Sequence, residues 1–314
     1  MKIPGLFFVL LVLSQMVNAQ CCSMGNPTGG QEQQSVLPAK HLRIYSFYKH
    51  GYNDTYFREN IRLINYGTFS HSLYDFAGLQ LAYGLTHRLT LEHETGYFLQ
   101  KQLRYNDPQL DALTRKGYGL SNGVLGLHYA LWSHPRSATE FSVAAALKYS
   151  YQSKPLEVDG VEMPVELQPS TGALGFVGRA TLFTSLGNTG VTAFLQHRFE
   201  TNRPNYRNYT FGNAHHTSLG LGIPLQTWLY ANLHLRNEYR SSDTTPSAAR
   251  LASEGSNLLI ASPALSFQLP AQFQLSLFAE LPVYKYYFGE QLSYQYAFGI
   301  GFSRQFSFLN RQSL

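Results

Sequence analysis

From about residue 39 onward the chain repeats one pattern, with large apolar side chains at alternate positions and small or polar ones between them. In "LSYQYAFGIGFSRQF", residues 292–306, the large positions are Leu292, Tyr294, Tyr296, Phe298, Ile300 and Phe302. A period of two is the signature of a β-strand, because successive side chains point to opposite faces. The same alternation places strands near 40–50 and, in "LQLAYGLTHRLTLEHETGYF", on both sides of a turn at Thr86-His87-Arg88. A fourth strand carries Leu125, Leu127, Tyr129 and Leu131, and a fifth Phe141, Val143, Ala145, Leu147 and Tyr149. Further strands are predicted near 171–186, 191–200, 214–224, 228–240, 257–269 and 272–283. With the 292–306 segment the count is twelve.

The spacing of the connections chooses the architecture. Tight turns at 86–88, 133–136, 187–189, 225–227 and 270–271 alternate with longer polar segments near 51–69, 100–117, 152–169, 201–212, 241–256 and 284–291. A soluble sandwich has no reason to treat its two ends so differently, whereas an outer-membrane barrel has short periplasmic turns and long external loops. The expected fold is therefore all-β: a transmembrane, antiparallel, up-and-down β-barrel of about 12 strands. One parity meets lipid, with Tyr and Phe gathering as interfacial girdles, and the small, polar parity lines the lumen.

Composition fits that reading. Only 14% of the 314 residues are charged, against 14% aromatic with 22 Tyr and 21 Phe, and mean hydropathy is −0.20. A helical membrane protein would be far more apolar, and beyond the N-terminus no run of 18 apolar residues is present. The N-terminus, with Lys2, an apolar stretch from Ile3 to Leu13 and the small-residue site Val17-Asn18-Ala19, reads as a signal peptide over 1–19. Residues 20–38, rich in Gly, Gln and Pro, read as an irregular periplasmic leader or plug, and 39–314 as the barrel. The only cysteines, Cys21 and Cys22, are adjacent. Lipid, a soft metal, a disulfide or no role at all stay open for them.

The parity rule assigns candidate pore-lining residues: Glu92, Glu94, Lys148, Arg179, Arg198, Glu200, Asn232, His234, Arg236, Glu238 and Arg240. Mixed charges in a lumen set its field and selectivity, or pair among themselves and fill it. His215, His216 and His234 show no spacing that selects a metal geometry, and no basic run points to nucleic acid. No metal, cofactor or catalytic residue is assigned, and the chain is not expected to be an enzyme.

The hairpin "YGLTHRLTL", Tyr83 to Leu91, and the leader "CCSMGNPTGG" resemble segments of uncharacterised transporter or porin-like outer-membrane β-barrel proteins of Gram-negative bacteria. The resemblance implies export to the outer membrane and contact with its lipid, and it assigns no substrate and no functional residue. Outer-membrane phospholipase A, a twelve-stranded barrel with a His-x-Ser motif, resembles the architecture too. Here, however, His216 and Ser218 share the lumen parity with Gly220 and Gly222. The expected function is a passive channel or transporter for small solutes. The alternatives are a non-conducting scaffold or adhesion platform and, as a minor third, a lipid hydrolase. Oligomerisation and a periplasmic partner stay open.

Overall fold

The computed structural model of the protein describes residues 26–29, 35–106, 113–134, 138–247, 249, 251 and 254–308. The signal peptide read at 1–19 and the Cys21–Cys22 pair lie outside the described residues. The first strands are β1 (His41–Glu59), β2 (Ile61–Leu63), β3 (Phe69–Gly84), β4 (Leu89–Tyr105), β5 (Thr114–Leu120), β6 (Asn122–His134) and β7 (Thr139–Ser150). A small hairpin of β8 (Glu157–Val158) and β9 (Val161–Glu162) lies in the connection to β10 (Gly175–Leu186). There follow β11 (Val191–Asn202), β12 (Ala214–Gln226), β13 (Leu229–Arg240), β14 (Ser256–Leu269) and β15 (Phe273–Ser307).

Eleven of these strands pair antiparallel in one ring, each with its sequence neighbour, and β1 closes onto β15 from His41 opposite Ser307. Strands β2 and β5 lie outside the ring order, on β1 and β4. Closure leaves no unpaired edge, the condition for burying a sheet in hydrocarbon. The final strand is 35 residues long, about 115 Å if fully extended, far more than one wall needs. Its first half, Phe273 to Tyr287, pairs with β14, and its second half pairs with β1. Ser276 Oγ donates to the Gly301 carbonyl, and Gly299 rests against Phe278, so the halves lie side by side. The last strand thus supplies two walls, and the expected count of about twelve roughly fits.

Short connections at 85–88, 187–190, 227–228 and 270–272, and the paired strand ends His134 and Thr139, share one end with His41 and Ser307, here the turn end. At the opposite, loop end the strands run further than the sequence suggested. Residues 51–59, 100–105 and 284–291, expected as loop, are strand. Alternation lapses there while cross-strand aromatic packing persists, as in the stacked pair Tyr52–Tyr296.

Leu125, Leu127, Leu195, Leu219, Leu221, Leu233 and Phe298 project outward and are exposed. Among the described residues no helix is long and apolar enough to cross a membrane. An arginine at Leu127, whose strand neighbours are Leu91 and Ala145, is expected to cost about 2–4 kcal/mol if that position lies near the bilayer midplane. Denaturant unfolding from lipid vesicles would show it as a lowered midpoint.

The rule that every large residue faces out fails on several strands. Tyr45, Phe47, Phe76, Phe98, Ala264 and Phe278 form a buried cluster inside the ring, and Leu258, Ile260 and Tyr287 form another. A ring this wide leaves space that inward side chains must fill. Register shifts add to the failure. Tyr52 pairs with Tyr296 but Asn53 with Tyr294, so Gln295 is skipped and parity inverts at a bulge. Leu292 and Tyr294, expected on the lipid face, therefore turn inward, while Tyr296, Phe298 and Phe302 stay outside.

Candidate functional site

The interior of the ring holds a cavity of about 200 Å³ lined by residues from most of the wall. Seven basic side chains reach it, Lys49, Lys101, Lys148, Arg179, Arg198, Arg236 and Arg240, against five acidic ones, Glu92, Glu94, Glu200, Glu238 and Glu280. Nine of the eleven residues assigned by parity line this cavity. The other two lie off it: the Asn232 amide donates to Ser266 Oγ at 3.0 Å, and the His234 ring packs edge-on against Phe194. Lys49, Lys101 and Glu280 were missed, because flanking aromatics such as Phe47 and Phe278 turn inward with them and disguise the lumen parity.

The charges form compact groups. Arg179 and Arg198 stand directly opposite each other on β10 and β11, a repulsive placement if left alone. Glu92 and Glu94 of β4, three and four strands away around the ring, resolve it. Arg179 Nη2 donates to both Glu92 oxygens at 2.8 and 2.7 Å, and Arg198 reaches the two Glu94 oxygens at 3.0 and 3.2 Å. Paired N–H···O bonds of this kind are strong as well as directional. Arg198 Nε also donates to Glu200 at 2.9 Å, and Lys148 donates to the other Glu200 oxygen at 3.1 Å. His128 lies between Glu92 and Ser142, each at 2.8 Å.

A second group lies on the opposite side of the lumen. Glu280 accepts from Lys49 Nζ at 2.7 Å, from Arg236 Nη2 at 3.1 Å and from the Tyr294 hydroxyl at 2.9 Å. Arg236 Nε is 3.6 Å from Glu238, which is also 3.6 Å from His216. His216 and Ser218 do face the interior, as parity required. Glu238 stands directly opposite His216, an acid that the sequence reading did not place there. Ser218 is buried in the wall, away from the outer face.

The two described pieces of the 20–38 segment, residues 26–29 and 35–38, lie within the ring. Asn26 Nδ2 donates to the Asn122 carbonyl, and Thr28 receives Arg236 Nη1 on its hydroxyl and Lys49 Nζ on its carbonyl. Nearer the turn end, the Leu37 and Val36 amides donate to Thr90 Oγ1 and Glu140 Oε1. At the loop end, Met163 and Leu167 of the β7–β10 connection pack onto Tyr56, Phe69, Leu103 and Leu292. Lys101 donates to the Gln168 carbonyl below them, and burial pushes the nearby Glu166 carboxyl above its ordinary range.

One polar group sits on the outer parity instead. Asp75 accepts from Tyr48 and Gln100, each at 2.5 Å, and lies 2.8 Å from His50 Nδ1. Three partners satisfy a carboxylate that an apolar wall alone could not hold.

A closed antiparallel ring with an apolar exterior and a charged, cavity-bearing interior decides the class. The fold is that of an outer-membrane β-barrel. No family model and no curated protein matches the sequence. Among solved structures, the COG4313 outer membrane channel from Pseudomonas putida F1 superposes with a TM-score of 0.67, at 13% identity, over 88% of this chain and 99% of that one. The β-domain of the Bordetella autotransporter BrkA gives a TM-score of 0.50, at 12% identity, over 85% and 100%. The likeness to these outer-membrane barrels is one of fold.

Proposed function

We propose that the protein is an outer-membrane channel that passes small solutes through its lumen, with a preference for anions, and that its leader holds it shut at rest. The carrying observation is the central cavity, where seven basic side chains face five acidic ones inside a closed apolar wall. A lumen filled only to support the wall would not need buried charges of both signs, each costly to desolvate. Rings of fixed charge along a water path set which ions enter, and the excess of Lys and Arg favours anions. On this reading the short turns are periplasmic and the longer connections external. The Met163–Leu167 segment covers the external mouth, and residues 26–29 narrow the lumen below it.

Single-channel recording of the mature protein in planar bilayers, with and without residues 20–38, tests the proposal. The full chain is expected to be closed or to open rarely, and the shortened chain to conduct steadily. Silence in both forms would sink the channel reading and favour a scaffold that acts through its external loops.

A further inference from the structure

The segment Asn26–Gly29 does more than fill space. Thr28 presents two oxygens to two cations, its hydroxyl 2.9 Å from Arg236 Nη1 and its carbonyl 3.3 Å from Lys49 Nζ. Both cations are anchored from behind by Glu280, and all three side chains are more than nine-tenths buried. The next residue lies flush on the aromatic wall: a Cβ at Gly29 would come within 2.6 Å of the Tyr45 ring and 2.9 Å of the Phe47 ring. Phe47 continues that wall to Phe76 and Phe98, with ring centroids 5.8 and 4.8 Å apart in turn. A pair of anchored cations beside an apolar wall is a built site, and at present a neutral piece of the chain itself, the Thr28 hydroxyl and carbonyl, occupies it.

We propose that Thr28 and Gly29 stand in for a solute, and that the solute is a small carboxylate with a compact apolar body. A carboxylate offers the same two acceptor oxygens as Thr28 but carries a charge, and charge-assisted hydrogen bonds are roughly twice as strong as neutral ones. Its body would take the place of Gly29 against Tyr45 and Phe47. The cavity of about 200 Å³ exceeds the roughly 150 Å³ that accepts benzene in an apolar protein cavity, so a body of about six carbons fits. A cationic solute would face the basic excess of the lining, and a neutral one would leave the two cations no better satisfied than Thr28 does. The leader and the solute then compete, and the apparent affinity of the resting protein is reduced by the fraction of time the leader is seated. This inference rests on the channel reading for its purpose but not for its test.

The test is calorimetric titration of hexanoate and of 1-hexanol into the detergent-solubilised full chain, its Gly29→Val variant, and the latter with Arg236→Gln. Valine at position 29 cannot seat against Tyr45 and Phe47, so it unseats the leader without touching either cation. Hexanoate is expected to bind Gly29→Val at least tenfold more tightly than the parent, and 1-hexanol to bind neither. Arg236→Gln should remove at least tenfold of the gain. Where that substitution prevents folding, judged by heat-modifiable gel mobility, Lys49→Gln, which leaves the Arg236–Glu280 pair intact, replaces it and should give the same loss. Equal hexanoate affinity in parent and Gly29→Val would overturn the proposal, as would binding of 1-hexanol as strong as that of hexanoate. No binding of hexanoate to a conducting barrel would sink the carboxylate site and spare the channel. Binding without conductance in any form would do the reverse.

Discussion

Alanine at Glu280 is expected to destabilise the barrel by about 3–5 kcal/mol, the cost of stranding buried charges by removing their partner. Glu280 is almost fully buried and satisfies Lys49, Arg236 and the Tyr294 hydroxyl together. Without it, Lys49 keeps only the Thr28 carbonyl among its hydrogen bonds described above, at 3.3 Å. The loss should appear as a lower urea midpoint for the barrel folded in lipid vesicles. Replacing Lys49, Arg236 and Glu280 together by Met should cost much less, because apolar replacement of a buried ionic triad is often close to neutral. If Glu280→Ala unfolds at the parent midpoint, water already reaches Lys49 and Arg236, and the group is not a dry clasp.

The second large effect is on selectivity. Neutralising Arg198, Arg236 and Arg240 to Gln leaves four basic side chains against five acidic ones around the cavity, where the parent has seven against five. The preference is expected to swing from anions to cations, seen as a change of sign in the reversal potential under a salt gradient. The measurement belongs in a background that conducts, such as the chain without residues 20–38. Glu94, Glu200 and Glu280 lose partners in this variant, so folded barrels are selected first by heat-modifiable mobility. An unchanged reversal potential in folded protein would mean that ions do not pass these side chains.

Most of the wall could be read from the sequence because a sheet in contact with lipid enforces a period of two. Strands β7 and β11 keep that period throughout, and β6 and β12 keep it up to the shifts at Ala130–Trp132 and Pro224–Gln226, so Leu127, Leu147, Leu195 and Leu221 are outward as expected. Nine of the twelve charges that line the cavity follow from the same rule. What escaped it needs the closed ring. The skipped residue Gln295 is invisible in a string that alternates on both sides of it, yet it turns Tyr294 inward to Glu280. Lys49 sits between Phe47 and Gly51, which reads as an apolar stretch until β1 meets β3 and β15 and turns Phe47 and Lys49 inward together. Partner choice was equally hidden. Glu92 and Arg179 are separated by 87 positions and meet across a space whose width no local pattern states. The outward Asp75 has the same explanation, since its donors Tyr48 and Gln100 come from two other strands.

The seam between β1 and β15 also bears on assembly. Ring closure joins His41 to Ser307, almost the full span of the described strands, so the contact that removes the last open edge is also the one of greatest sequence separation. Contacts of that kind form late, since the entropy of bringing distant segments together must be met first. Until the second half of β15 arrives, β1 and the first half of β15 each present an unpaired row of backbone groups, a template for wrong partners. Closure of the ring therefore waits on the second half of β15, the last piece of chain needed to complete the wall.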